Sequence, residues 1–443
     1  TYKKKEIVDY CVFETTEDDE WIILCSLPLY TSNTEEIKTV KSVYFIDEDY
    51  EARVDIGSNI SYQFPKAGLH KVRIKFNDNA KTFEDLFNTT YRNLVSIPQG
   101  LFDNCTQATD FKNCFYNCSK LTTIPEGLFD NCTQVTDFSY CFGGCTSITE
   151  IPQGLFDNCT QVTNFYFAFA SCRSLTSIPQ GLFDNCTQVT NFSYCFSMCD
   201  SLVSIPEGLF DNCTQATNFK ACFNMCSNLS SIPEGLFDNC TQVTDFSSCF
   251  GVADITSIPE GLFNNCPNVR GFSNTFAQCS NLSSIPSDIF NNKTQVTTFF
   301  GCFGGCSGLT SIPNGLFSGC TNVDSFQECF RDCTSLTTLP DDLFQTNVNV
   351  TNFNKCFQNC TSLATIPRKL FSMNKKVKKF NTTFYNCTAL TSPTPVDEDG
   401  TPIYNRSGEG KEGYDVVEDS INCFYNCTNM QDYSTIPDSW KVS

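Results

Sequence analysis

Thirty cysteines, one histidine and an aspartate that returns at a fixed interval are the residues of this chain with chemistry to offer. A thiol or hydroxyl acts as a nucleophile when a base stands beside it. The one histidine, His70, lies outside the cysteine-rich part, so Ser/His and Cys/His schemes have almost no base to draw on. No Gly-rich loop ending in Lys is present to cradle a phosphate. Paired carboxylates remain as the catalytic option. Asp103, Asp130, Asp157, Asp184, Asp211 and Asp238 each follow Pro-x-Gly-Leu-Phe. That placement reads as the first turn of a helical segment, where the dipole favours an acid; a weak cation-binding stripe is the alternative. Asp397-Glu398-Asp399-Gly400 is calcium-friendly but lacks the further ligands of a calcium loop, so it reads as a turn. Asn-Cys-Thr at Asn104, Asn131 and Asn158 fits a glycosylation acceptor, yet its return at one place reads as a structural Asn. No catalytic residue, metal site or cofactor is expected.

These residues are positioned by one phrase that the chain writes eleven times. A clean copy runs from Ile178 to Ser204, and its Ile/Leu-Pro marker recurs at Ile97, Ile124, Ile151, Ile178, Ile205, Ile232, Ile258, Ile285, Ile312, Leu339 and Ile366. The step is 27 residues except for the 26 from Ile232 to Ile258. A fixed period of this size implies a solenoid whose units bury their apolar face against neighbours. The phrase is itself double: Phe183-x-x-Cys186-x-x-Val189 is echoed by Phe196-x-x-Cys199-x-x-Leu202. Phe and Cys three apart share one side of a helical turn, and the β-branched residues after them favour extended chain. The expected fold is therefore an α+β repeat solenoid of 27-residue coils, with parallel β ladders and short helical turns. We count marker isoleucine or leucine as position 1.

Cysteines then fall at positions 9, 18 and 22, and the copies test whether they pair. A disulfide should be lost as a pair. Cys159 is kept where position 18 is Ala168, Lys293 replaces position 9 while Cys302 and Cys306 survive, and Asn347 replaces it while Cys356 and Cys360 persist. Cys249 is kept where position 22 is read as missing, at the one-residue deletion near Val252-Ala253. Such independent losses favour buried free thiols acting as small hydrophobes over disulfides or a metal site.

The order Cys-x-x-Leu-Thr-x-Ile-Pro, Phe-x-x-Cys, Val-Thr-x-Phe resembles the BspA-like leucine-rich repeat surface proteins and the degenerate repeats of mycoplasma-type surface lipoproteins. The resemblance spans about Phe83 to Pro437. One departure is Cys before the second Phe, as in Cys195-Phe196 and Cys222-Phe223, where members commonly have Met. The resemblance implies a bacterial cell-surface or secreted binding and adhesion protein without catalysis. Its partner would be a host or cell-surface protein or glycan. The alternative is a structural spacer or virion fibre component in which the rod itself is the function.

Three regions are expected. Residues 1–80 form a β-rich N-terminal cap, with Tyr62-x-Phe64-Pro65-x-Ala67-Gly68-x-His70-x-Val72 resembling the last hairpin of immunoglobulin-like or PKD-like domains. Residues 81–392 form the solenoid. Residues 393–443 hold an acidic, solvated loop insertion and a C-terminal capping repeat closed by Trp440. The 443 residues are 40% hydrophobic with net charge −20, which argues against nucleic acid, since phosphate contacts need clustered Lys and Arg. No run of 18 apolar residues is long enough for a membrane span. The chain starts Thr1-Tyr2-Lys3 with neither Met nor an apolar leader, so either a signal is expected to have been removed or the sequence begins partway along a longer protein. A monomer at the cell surface or outside the cell is expected.

Variation between copies points to two surfaces. Positions 16, 17, 20 and 21 vary most and are expected to face solvent. Position 17 is Tyr140, Phe167 and Tyr194 in three successive copies, with Tyr166 beside them and Met198 and Met225 near, an apolar cluster suited to a protein or glycan. A second surface is basic: Arg368, Lys369, Lys375, Lys376, Lys378 and Lys379 crowd the last regular copy. It reads either as a solvated end balancing the acidic loop or as a site for an anionic polymer or partner.

Overall fold

The computed structural model describes residues 9–25, 39–47, 50–52, 60–88, 93–407 and 411–441. It divides into two compact units, residues 1–216 with 226–228, and residues 217–225 with 229–443.

The first unit begins with seven strands: β1 (Cys11–Thr15), β2 (Glu20–Cys25), β3 (Val40–Phe45), β4 (Tyr50–Ala52), β5 (Ile60–Phe64), β6 (Gly68–Phe76) and β7 (Leu94–Ser96). β5 and β6 fall on the Tyr62–Val72 stretch read as a hairpin, but they pair with other strands, β5 with β2 and β6 with β1 and β3. An antiparallel sheet runs in the order β4-β3-β6-β1-β7, and β2 pairs with β5. Alternation along β6 buries His70, Val72, Ile74 and Phe76 on one face, as period two requires. His70 is spent structurally: it stacks on Phe64 at 3.8 Å and pairs with the Thr15 hydroxyl at 2.9 Å. β7 occupies the end of the half-repeat before Ile97 yet pairs with β1, so the solenoid enters from the edge of this sheet. Phe76 of β6 stacks on Phe102 at 5.3 Å and so begins the solenoid's own ring column.

In each unit the coils stack on three columns of phenylalanine, at positions 6, 15 and 19. In the first unit Phe156–Phe183 lie 6.3 Å apart, Phe165–Phe192 5.8 Å and Phe169–Phe196 5.6 Å, all stacked within 12°. The first two columns interlock, with Phe165 4.8 Å from Phe183 at 51°. Each ring is fully buried, which is worth roughly 1.5–3 kcal/mol apiece relative to exposure. This is the apolar payload of a leucine-rich-repeat solenoid, carried here largely by Phe.

The expected strands and helical turns are shorter than the pattern implies. Parallel pairing is reduced to single bridges at position 14, such as Asp137↔Asn164 and Asn164↔Asn191, with Thr338↔Thr365 at position 27. From position 15 onward the backbone alternates. The N–H groups of Phe138, Tyr140, Phe142 and Gly144 donate to the next coil, at Asn164, Tyr166, Ala168 and Ala170. Those of Cys141, Gly143 and Cys145 close turns onto Phe138, Tyr140 and Phe142. A run that donates alternately across and along cannot be a strand or a helix, and it satisfies every polar group without being either. The only α-helix among the described residues is α1 (Asp438–Lys441).

Alternation has a conformational signature that the sequence reading misses. Positions 17 and 21 adopt left-handed φ throughout, from Asn113 (54°) and Asn117 (60°) to Asn422 (59°) and Asn426 (61°). Gly, Asn and Asp tolerate that region; other residues pay for it. Gly181 is needed for a second reason: it has φ 73°, and a Cβ there would sit 2.8 Å from the Asp184 carboxylate.

The segment after Pro393 is not a solvated loop. Val396, Ile403 and Val417 are buried, and Arg406 is wholly enclosed. Its guanidinium pairs with Asp397 and donates to the carbonyls of Asn374 (3.1 Å) and Phe371 (3.0 Å). Trp440 is 1% exposed, packs 5.8 Å from Phe380 and accepts the Phe424 N–H through its carbonyl.

Candidate functional site: an aromatic ladder

Tyr140, Phe167 and Tyr194 come together in the first unit as a stacked ladder, 5.0 Å and 4.7 Å between ring centroids and 23° and 22° between planes. Tyr166 meets all three edge-on, at 5.1 Å from Tyr140, 5.0 Å from Phe167 and 5.9 Å from Tyr194. Tyr116, which the sequence reading does not single out, adds an edge contact to Tyr140 at 5.5 Å. It stands at position 20, and only the turn geometry brings positions 17 and 20 of neighbouring coils together. Gly143 makes room for it: a Cβ there would lie 3.1 Å from the Tyr116 ring and 3.0 Å from the Phe167 carbonyl. Met198 is half-buried and accepts the Ser171 hydroxyl on its sulfur at 3.4 Å. Met225 belongs to the second unit and is left out of the site.

The rings are half-buried rather than free in solvent. Variable positions are not uniformly exposed either, since Ser139, Ser193, Ser197, Ala170 and Ala221 are buried. Burial, and then the hydrogen bond with Tyr166, push the Tyr140 hydroxyl up to about 12. It is therefore a neutral hydrogen-bonding group at any physiological pH. Each ladder ring sits on a left-handed backbone, with φ 57°, 57° and 58° at Tyr140, Phe167 and Tyr194. Asn113, Asn274 and Gly301 fill the same position elsewhere without that cost. Ala221, Ser248, Glu328, Lys355 and Thr382 share the position at φ 52–59°, so the three aromatics bear a backbone cost of order 1 kcal/mol that most coils also bear. Mutual stacking offsets part of it.

The basic residues meet a different environment, in the second unit. Lys375 pairs with Glu398 at 2.9 Å and Lys378 with Glu418 at 3.3 Å. Lys376 donates to Asn349 at 2.8 Å. The Arg368 carbonyl accepts the Val396 N–H, and the Lys379 backbone bridges Asp419. The Arg368 and Lys369 side chains are exposed. The acidic segment thus supplies counter-charges from within the chain. Asp397-Glu398-Asp399-Gly400 closes as a turn, with Asp399 held well below the usual carboxylate range by Lys411 and the Thr401 N–H.

The thiols have a use beyond filling space. All thirty are buried thiols outside any disulfide. Position 22 donates S–H to the position 19 carbonyl of the preceding coil: Cys172 to Phe142 (3.3 Å), Cys199 to Phe169 (3.3 Å), Cys226 to Phe196 (3.1 Å). Where Cys is replaced at the other positions, the substitute usually donates too. Thr383 donates to Phe353 at 3.0 Å, and the Asn347 amide to Cys320 at 2.8 Å. Burial pushes the Cys172 and Cys226 thiols up to about 12, far from a thiolate. In the 26-residue coil position 22 is not missing: Ala253 occupies it, and Val252 keeps the cross-coil bond of position 21, to Ala277 at 2.7 Å. The deletion falls after it. The position 7 aspartates are exposed, each closing a turn onto the glycine carbonyl three residues before. Among the described residues no group of three or more His, Cys, Asp or Glu is placed to hold a metal ion.

This coil geometry coincides with a family assignment. The model of the BspA type leucine-rich repeat region matches residues 76–215 and 176–327. The chain belongs to that family. A second model, of a Mycoplasma protein of unknown function, matches residues 271–396 of this BspA-type chain. Among solved structures, a leucine-rich repeat protein of Bacteroides ovatus is 22% identical, with 79% of this chain and 87% of that chain covered and a TM-score of 0.44. A leucine-rich cell surface protein of Faecalibacterium prausnitzii is 19% identical, with 68% and 82% covered and a TM-score of 0.26. No curated protein matches the BspA-type chain. No helix among the described residues is long and apolar enough to cross a membrane.

Proposed function

We propose that this BspA-type chain is a non-catalytic binding protein of the cell surface or extracellular space, and that the ladder Tyr140–Phe167–Tyr194 is its contact surface for a protein partner. The observation that supports the reading is the ladder itself: three stacked, half-buried aromatics in successive coils, at a position that the other coils fill with Asn, Gly, Ala, Ser, Glu, Lys or Thr. A protein suits it better than a sugar. Sugars stack on open ring faces, and here the faces are occupied by one another at 5.0 Å and 4.7 Å. What remains is ring edges and the Tyr hydroxyls, which serve side chains and backbone groups. Rigid aromatics with few rotors are what binding hot spots favour. We read the N-terminal strands as the cover for the first coil's open edge.

The test replaces Tyr140, Phe167 and Tyr194 together with Asn, which suits φ > 0 and occupies this position at Asn113. Parent and triple variant are applied to an array of extracellular-matrix proteins and glycans. The parent is expected to bind a matrix protein and the variant to bind it at least tenfold more weakly, with thermal stability within about 1 kcal/mol, as relief of backbone strain offsets lost stacking. Equal binding by both would move the contact elsewhere, and binding by the parent to glycans alone would overturn the choice of partner.

A further inference from the structure

A cleft of about 430 Å³ opens in the first unit between the β layer and the first coil, lined by Lys41, Arg73 and Lys75 with the carboxylates of Asp9 and Asp78, and by Gln99, Gly100 and Asn104. Its floor is apolar: Ile74, Phe76, Leu101 and Cys105 all line it and are buried. The cations arrive by a rule of sheet geometry. Arg73 and Lys75 alternate with the buried Val72, Ile74 and Phe76 along β6, so both stand on the outer face. Lys41 is the residue at which β3 slips register against β6, between Val40 and Ser42.

The charges in the cleft are not equally free. Asp9 clasps Arg73 through two hydrogen bonds, to Nε at 2.8 Å and Nη2 at 3.0 Å. Lys41 and Lys75 are exposed and make no ion pair among the described residues. Two ammonium groups without an ion pair thus stand in a cleft that, with Asp9 and Asp78 counted against Lys41, Arg73 and Lys75, keeps one net positive charge in a chain whose net charge is −20. A cleft concentrates the field of the charges that line it. The opposite wall offers the amide side chains of Gln99 and Asn104, which both donate and accept hydrogen bonds. Cations on one wall, amides on the other and an apolar floor suit a ring-shaped ligand bearing hydroxyls and one negative group.

We propose that this cleft binds a small anionic saccharide, a sugar carrying a single carboxylate or sulfate, with Lys41 and Lys75 holding the anion and Gln99 and Asn104 its hydroxyls. The site is separate from the aromatic ladder and takes a different class of ligand. Exposed charge pairs are individually modest, so the expected affinity is weak and salt-dependent.

The experiment titrates the full chain with glucuronic acid, glucose 6-sulfate and glucose by calorimetry at low ionic strength. Either or both of the anionic sugars should saturate, with glucose at least tenfold weaker, and binding should fall on adding salt. A Lys41→Gln/Lys75→Gln variant should lose about tenfold, while Lys41→Arg/Lys75→Arg retains binding and shows that the substitutions leave the fold intact. Asp9→Asn, which frees the Arg73 fork, should bind severalfold more tightly. The Tyr140/Phe167/Tyr194 triple variant should bind these sugars as the parent does. Equal affinity for glucose, unchanged binding by the double Gln variant, loss of binding in the double Arg variant, weaker binding by Asp9→Asn, or no saturation by either anion would each overturn the assignment.

Discussion

The aromatic coils of the first unit and the basic coil of the second are built on one plan and end in opposite conditions. Tyr140, Phe167 and Tyr194 carry a half-buried apolar edge whose ring contacts come from one another and from Tyr116 and Tyr166. Lys375 and Lys378 carry charge, and residues 395–419 of the same chain answer it with Glu398 and Glu418. Beneath that surface the pairing is deeper: Asp397 is shared by the enclosed Arg406 and by Lys411, at 3.0 Å. A surface neutralised from within has little left to offer an anionic partner, whereas the ladder has no charge to answer and keeps part of its ring surface exposed. Surface chemistry alone does not separate binder from structure; what covers the surface does.

The largest expected effect tests whether the cover is firmly held. Asp397→Ala strips the counter-charge from a buried guanidinium, which should cost roughly 3–5 kcal/mol. The melting temperature of the second unit should fall by on the order of 10 °C, and protease should cut between 395 and 419 while the aromatic coils stay protected. A smaller effect comes from position 18, where the aromatic coil has Ala168 and the basic coil Thr383. Thr383 donates to Phe353 and to Phe380, at 3.0 Å and 2.7 Å. Thr383→Val keeps the shape and removes the hydroxyl donor, while the Phe353 and Phe380 carbonyls keep the N–H groups of Cys356 and Thr383, so a loss of about 0.5–1.5 kcal/mol is expected. Thr383→Cys, which restores the residue common at this position, should cost under about 1 kcal/mol. Equal melts for the two variants would show that the thiols only fill space.

Acid should separate the two regions most gently. Lys375 holds Glu398 below its ordinary range, and Lys411 holds Asp399 below its own. Groups whose folded pKa is depressed contribute stability above their unfolded value, and that contribution is lost as pH falls through the folded one. Protection of the amides in 397–407, measured against their intrinsic exchange rates at each pH, should therefore fall progressively once the pH drops below about 4. The ladder should not respond, because burial and the hydrogen bond with Tyr166 push the Tyr140 hydroxyl up to about 12 and it stays neutral across this range.

Much of the fold was legible because the repeat wrote it many times. The phenylalanine columns, the burial of every repeat cysteine and the neighbourhood of Tyr140, Phe167 and Tyr194 all follow from period. The left-handed positions were legible in principle, since Asn and Gly return at positions 17 and 21 (Asn113, Asn117, Gly301, Gly305, Asn386). The aromatics and methionines at those positions concealed the pattern, because side-chain type drew the reading toward surface and away from backbone. The thiol as hydrogen-bond donor showed only when Thr383 and Asn347 were seen reaching for carbonyls of the preceding coil. The enclosed Arg406 could not be read from an acidic, Gly- and Pro-rich stretch. Its partners lie 9, 32 and 35 residues away, across no repeating interval.

The 26-residue coil shows how little joins one copy to a particular neighbour. Its cross-coil bonds, from Phe246 to Gly271, Ser248 to Ser273 and Phe250 to Thr275, match those of the full-length coils, because the missing residue falls outside the bonded run. Any coil therefore presents the same donors and accepts the same rings as the next. Copy number is free to change by recombination between near-identical stretches, with no new interface to be invented. A gene of this kind can lengthen or shorten its product one coil at a time, carrying a set of exposed rings along or leaving it out.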